Sequence, residues 1–92
     1  MKIIVETISA DKTRTWFQDS DGCEHWAIEL TTEPNGHAWY CVTFDGWVVW
    51  ELKCRELRIN ERGVFATDCF ATGKPRQEIP AYVLSHLPKV TR

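Results

Sequence analysis

The stretch HAWYCVTFDGWVVWEL, residues 37–52, decides how this chain folds. Asp45-Gly46 is a strong hairpin signal, because a two-residue turn that matches the twist of its strands needs positive φ at both positions. On either side lie Trp, Tyr, Val, Phe and Thr, the aromatic and β-branched types that suit a pleated surface. Phe44 is therefore expected opposite Trp47. Counting outward puts Val42 opposite Val49, Cys41 opposite Trp50 and Tyr40 opposite Glu51.

Further turn signals punctuate the rest of the chain: Asp19-Ser20-Asp21-Gly22, Glu33-Pro34-Asn35-Gly36, Asn60-Glu61-Arg62-Gly63 and Ala71-Thr72-Gly73-Lys74-Pro75. Between them strands are predicted near 2–8, 13–18, 24–32, 37–44, 47–60 with a bulge, and 63–70. A four-residue turn at 33–36 sets Thr32 opposite His37, Leu30 opposite Trp39 and Ile28 opposite Cys41. Closing 19–22 in the same way sets Trp16 opposite His25 and Arg14 opposite Ala27.

Two faces follow from this register. One carries Trp26, Ile28, Leu30, Trp39, Cys41, Val48, Trp50 and Leu52, and reads as the core. The other carries an aromatic row of Trp16, His25, Phe44 and Trp47, a row of Arg14, Ala27, Val42 and Val49, and a charged end with Lys12, Glu29, Tyr40 and Glu51. Near the C-terminus Pro80 suits a first helical turn, and Ile79, Val83, Leu84 and Leu87 follow helical spacing until Pro88. The fold class expected is α+β: an antiparallel β-meander sheet of five to six strands with one short C-terminal helix packed on one face. Residues 1–92 read as a single compact domain.

Composition narrows the function classes. With 11 Lys+Arg against 13 Asp+Glu, the chain has neither a cationic field to gather phosphates nor an acid excess large enough to imitate DNA. Five tryptophans in 92 residues are more than a domain of this size hides completely, so some aromatic surface is expected outside. The opening MKIIVETISADKT is too briefly apolar for a secretory h-region or a membrane span, which points to a cytoplasmic protein with no membrane partner. In a reducing compartment Cys23, Cys41, Cys54 and Cys69 are expected as free thiols.

Chemistry-bearing patterns are sparse. Cys23-x-His25 and His37-x₃-Cys41 supply zinc-type ligands, but four residues along a strand separate side chains by about 13 Å, too far for one ion. Counting from the turns places His37 opposite Cys54 and Cys54 opposite Cys69, although the apolar alternation slips between Cys54 and Leu57. Buried cysteine packing as a small hydrophobe accounts for that row more simply than a metal or a nucleophile. Asp19, Asp21 and Glu24 are explained by turn chemistry, and Arg55, Arg58, Arg62, Lys74 and Arg76, interleaved with Glu56 and Glu61, by a solvated mixed-charge face. The sequence thus predicts no catalytic residues, no metal and no cofactor.

The aromatic row remains, with Trp16, His25, Tyr40, Phe44 and Trp47 as the candidate binding residues. Such a patch serves protein hot spots and single-stranded nucleic acid alike. The few cations nearby, Lys12, Arg14 and Lys53, are offset by Glu29 and Glu51, which favours a protein partner or a nucleoprotein complex over direct nucleic acid. The competing structural reading makes the row a second core beneath the strand of Ile3 and Val5. The expected function is a small non-enzymatic protein-binding module, of the size shared by phage- or mobile-element-type inhibitors of host defence nuclease complexes (anti-CRISPR-like). The alternatives are a single-stranded nucleic-acid-binding sheet protein and, third, a zinc- or thiol-dependent small enzyme.

Overall fold

The computed structural model describes residues 1–67, 69–71 and 73–91. The chain runs β1 (Lys2–Ser9), β2 (Lys12–Gln18), β3 (Trp26–Thr32), β4 (Ala38–Phe44), β5 (Trp47–Cys54), β6 (Glu56–Asn60), β7 (Gly63–Thr67), β8 (Phe70–Ala71), α1 (Ala81–Leu84) and β9 (Lys89–Thr91). Strands β1 to β5 form an antiparallel meander in chain order, and β8 adds to the free side of β5. A second, smaller sheet has the order β6-β7-β9, with β9 parallel to β7. The α+β meander with a short helix is therefore present, in a molecule that is mostly β.

The Asp45-Gly46 turn forms as the sequence requires, with φ of 49° and 82°, and Phe44 pairs with Trp47. Beyond Thr43 and Val48 the ladder shifts, so that Val42 pairs with Trp50 and Tyr40 with Leu52. Val49 is the extra residue of a β-bulge. The bulge expected further along, between Cys54 and Leu57, is instead a break at Arg55, where the chain leaves the first sheet for the second. The count from the 60–63 turn holds: Asn60 pairs with Gly63, and the same register carries Lys53 to Phe70.

Two loops are longer than expected, and both corrections matter. Glu33 N–H donates to His37 O (2.8 Å), so the loop takes five residues and Thr32 pairs with Ala38, Leu30 with Tyr40 and Ile28 with Val42. A one-residue slip moves every side chain to the other face. Tyr40 and Val42 accordingly join Trp26, Ile28 and Leu30 in the core, while Trp39, Cys41 and Val48 leave the expected core for the opposite, open face. Between β2 and β3, residues 19–25 all belong to the connection, and Trp16 pairs with Ala27 rather than His25, Arg14 with Glu29 rather than Ala27.

The core face is covered by the C-terminal segment. Val83 N–H and Leu84 N–H reach back to Pro80 O (3.0 and 3.1 Å), a start that the fixed φ of proline favours. The helix ends after one turn because His86 and Leu87 bond three residues back, to Val83 O and Leu84 O, in a tighter spiral. Ile79 and Val83 are buried against the sheet, and Leu87 is half-buried. The expected stripe loses Leu84, which faces outward. The rings of Tyr82 and His86 lie 5.8 and 5.0 Å from Phe17, extending the cover to β2. Cover stops there, and Ile3 and Val5 on the edge strand β1 are exposed instead of roofing an aromatic row.

Candidate functional site

The structure gathers three of the five candidate residues at one end of the sheet. His25, immediately before β3, stacks on Phe44 with ring centroids 5.4 Å apart and planes inclined by 21°. Phe44 packs edge-on against Trp26 (4.9 Å, 61°), which ties it to the core. Trp47, the cross-strand partner of Phe44, is 78% exposed. The turn between them is held to the neighbouring loop, because Asp45 N–H donates to His25 O at 2.8 Å and Asp45 Oδ1 lies 2.7 Å from His25 Nδ1. That hydrogen bond, reinforced by the carboxylate charge, holds the imidazolium form of His25 above the usual histidine range.

The other two candidates lie elsewhere. Tyr40 is 5% exposed in the core, where burial first, and then the Cys54 and Cys69 thiols, push its phenol up to about 12. It is withdrawn from any surface by the slip of the 33–37 loop. Trp16 sits on the open face, half-buried, with Nε1 donating to Glu6 Oε1 at 2.8 Å and the Arg14 guanidinium 5.5 Å from its ring centre. Arg14 also bonds Glu29 through two nitrogens. The positive charge there is thus matched by carboxylates on β1 and β3.

Sequence reasoning missed Asp45, read only as a turn former, and it missed Trp39 and Val48, assigned to the core. Trp39 is 38% exposed on the open face, with Lys53 Nζ 5.0 Å from its ring centre. No signal in the residues themselves marks that exposure, since it depends on the length of one loop.

The cysteines are all unbonded thiols. Cys41 is pushed up to about 11 by burial, then by Glu29 and Glu51, and Cys54 is raised by burial and by its hydrogen bond with Cys69. Neither is poised as a thiolate nucleophile. His37 lines a shallow groove with Cys54, Trp39 and Lys53. Among the described residues, the one group with metal-ligand atoms gathered within 4.8 Å of one another is Asp19, Cys23 and His25. The strand spacing that separates His37 from Cys41 does not bear on this trio, because His25 lies in the 19–25 loop rather than in the expected 24–32 strand.

Among the described residues no helix is long and apolar enough to cross a membrane. No known protein family, curated protein sequence or solved structure matches the chain.

Proposed function

We propose that the protein is a non-enzymatic protein-binding module that docks through the tip formed by the β4–β5 hairpin and the 19–25 loop. Trp47 is the anchor, with His25, Phe44 and Asp45 around its base. The exposure of Trp47 carries this reading: a large indole stands outside the core on the first residue of β5, beside a turn that Asp45 ties to His25, where an exposed aromatic on a fixed backbone is of hot-spot type. The charges near it favour the class of partner. Asp19, Asp21, Glu24 and Asp45 cluster at this end, so a phosphate backbone is repelled and a basic protein surface with an apolar pocket is suited. Basic grooves of that kind belong to nucleic-acid-handling complexes, the partner class of a phage- or mobile-element-type inhibitor.

Affinity capture from native lysate with wild-type protein and with Trp47→Ala, both verified as folded, tests this. A partner retained by the wild type and lost from Trp47→Ala supports the assignment. Equal retention by the two moves the interface elsewhere. Saturable quenching of tryptophan fluorescence by a single-stranded oligonucleotide would favour the nucleic-acid alternative.

A further inference from the structure

The geometry points to a transition-metal site of the zinc class in the 19–25 loop, with the Asp19 carboxylate, the Cys23 thiolate and a ring nitrogen of His25 as ligands. The three ligand atoms lie within 4.8 Å of one another. A tetrahedral ion at ordinary zinc–ligand distances needs ligand separations of about 3.5 Å, so the closure required is on the order of 1 Å. Cys23 and His25 are exposed and Asp19 is half-buried.

Each ligand is presented by its own scaffold. Asp19 Oδ1 accepts from Asp21 N–H and Cys23 N–H, both at 2.9 Å, and Asp19 N–H donates to Cys23 O at 3.0 Å. These bonds fold the loop back so that Cys23 returns to Asp19, and they leave the second carboxylate oxygen for a ligand role. His25 is held independently, by its stack on Phe44 and by Asp45. With Nδ1–H donated to Asp45, Nε2 is the ring nitrogen left for an ion, which displaces the proton it carries in the imidazolium form. A carboxylate behind a ligating imidazole is the arrangement that commonly orients histidine at zinc sites.

The mixed oxygen, sulfur and nitrogen set selects Zn²⁺ or Co²⁺ over Mg²⁺ and Ca²⁺, which prefer oxygen alone. Binding releases to solvent the Cys23 thiol proton and, from the imidazolium form, one His25 ring proton, and leaves the fourth position to water or to a group on a partner. Cys23, His25 and Asp45 also resemble a nucleophile, base and orienting group. The Asp19 carboxylate distinguishes the two, because a nucleophile and its base need no third donor, whereas a cation takes the carboxylate gathered with the sulfur and the ring nitrogen as a ligand.

The test uses the reduced full chain titrated with Co²⁺ alone, followed by displacement with Zn²⁺. The expected result is saturation at one equivalent, with thiolate-to-cobalt charge-transfer absorption that disappears in Cys23→Ser. That variant and His25→Gln each weaken binding at least about tenfold, and Asp45→Asn weakens it by about 10- to 100-fold. Cys41→Ser leaves it unchanged. Absence of one-equivalent saturation, or a cobalt spectrum indifferent to Cys23→Ser, overturns the proposal. So does rapid His25-dependent alkylation of Cys23 in a protein that binds no cobalt. If His25→Gln disturbs the Phe44 stack and the fold, Cys23→Ser decides alone. The readout is metal binding without any partner, so it stands or falls separately from the docking role of Trp47.

Discussion

Trp47 and Trp50 stand three positions apart in one strand yet share a face of the sheet, because the bulge at Val49 pairs Trp47 with Phe44 and Trp50 with Val42. Strict alternation would put them on opposite sides. Their surroundings still differ. Trp50 packs against the core and donates Nε1–H to Gly73 O at 3.0 Å, whereas Trp47 lies beyond the cover of α1.

The two substitutions should therefore separate stability from binding. Trp50→Ala is expected to cost about 2 to 4 kcal/mol, from lost packing and the orphaned carbonyl. Trp47→Ala should cost less than about 1 kcal/mol. Denaturant melts of both variants measure this. A Trp47→Ala loss equal to that of Trp50→Ala would make Trp47 a packing residue and remove the anchor from the proposed interface.

The C-terminal cover offers a sharper contrast. Val83 is fully buried and Leu84 is exposed, one position later on the same helical turn. Val83→Asp should abolish cooperative unfolding and promote aggregation, since an unpaired buried carboxylate costs several kcal/mol and leaves the sheet bare. Leu84→Asp should melt within about 1 kcal/mol of wild type. Size-exclusion chromatography and thermal melts of the pair check it.

Thiol reactivity should follow the order of burial. Thiolate is the reactive form, and a group whose pKa is raised holds less of it at a given pH. At pH 8 the exposed Cys23 should be alkylated first, while Cys41, pushed up to about 11, and Cys54, raised by burial and Cys69, lag far behind. Intact-mass spectrometry during iodoacetamide treatment resolves the order, and rapid labelling of Cys54 in the folded protein would contradict its placement.

On the open face, Arg14→Ala should destabilise by about 1 to 2 kcal/mol, because among the described residues it leaves Glu29 the more distant Lys12 at 3.7 Å and strips Trp16 of its cation. Arg14→Lys should restore only part, since one ammonium cannot reproduce the two-nitrogen bond to Glu29. Urea midpoints of the three proteins give the comparison.

What could be read from the residues follows from where local chemistry dictates backbone geometry. Asp45-Gly46 and the 60–63 turn have composition that determines their loop length, and the pairings counted from them are the ones observed near those turns. The 33–37 and 19–25 connections do not, because a carbonyl such as His37 O can enter or leave a loop without altering its sequence signature. That single residue sent Tyr40 inward and Trp39 outward. His25, Phe44 and Trp47 were legible as a group because all three stand next to a turn, where a register error has little lever arm. The gathering of Asp19, Cys23 and His25 depends on how an irregular loop folds back, which periodicity does not describe.

The order of elements along the chain has a kinetic side. Each strand from β2 to β5 pairs with its immediate predecessor, so the meander can assemble as it is made, by hairpins that close in about 1 to 10 μs. Its apolar face nonetheless waits for Ile79 and Val83, and Val83 lies 31 residues after Leu52. At about 5 to 20 residues per second a ribosome takes about 2 to 6 s to cross that interval. From the emergence of Leu52 to that of Val83 the nascent chain carries a formed sheet with one greasy side, and in that interval its synthesis is most exposed to misassembly and most in need of a holding chaperone.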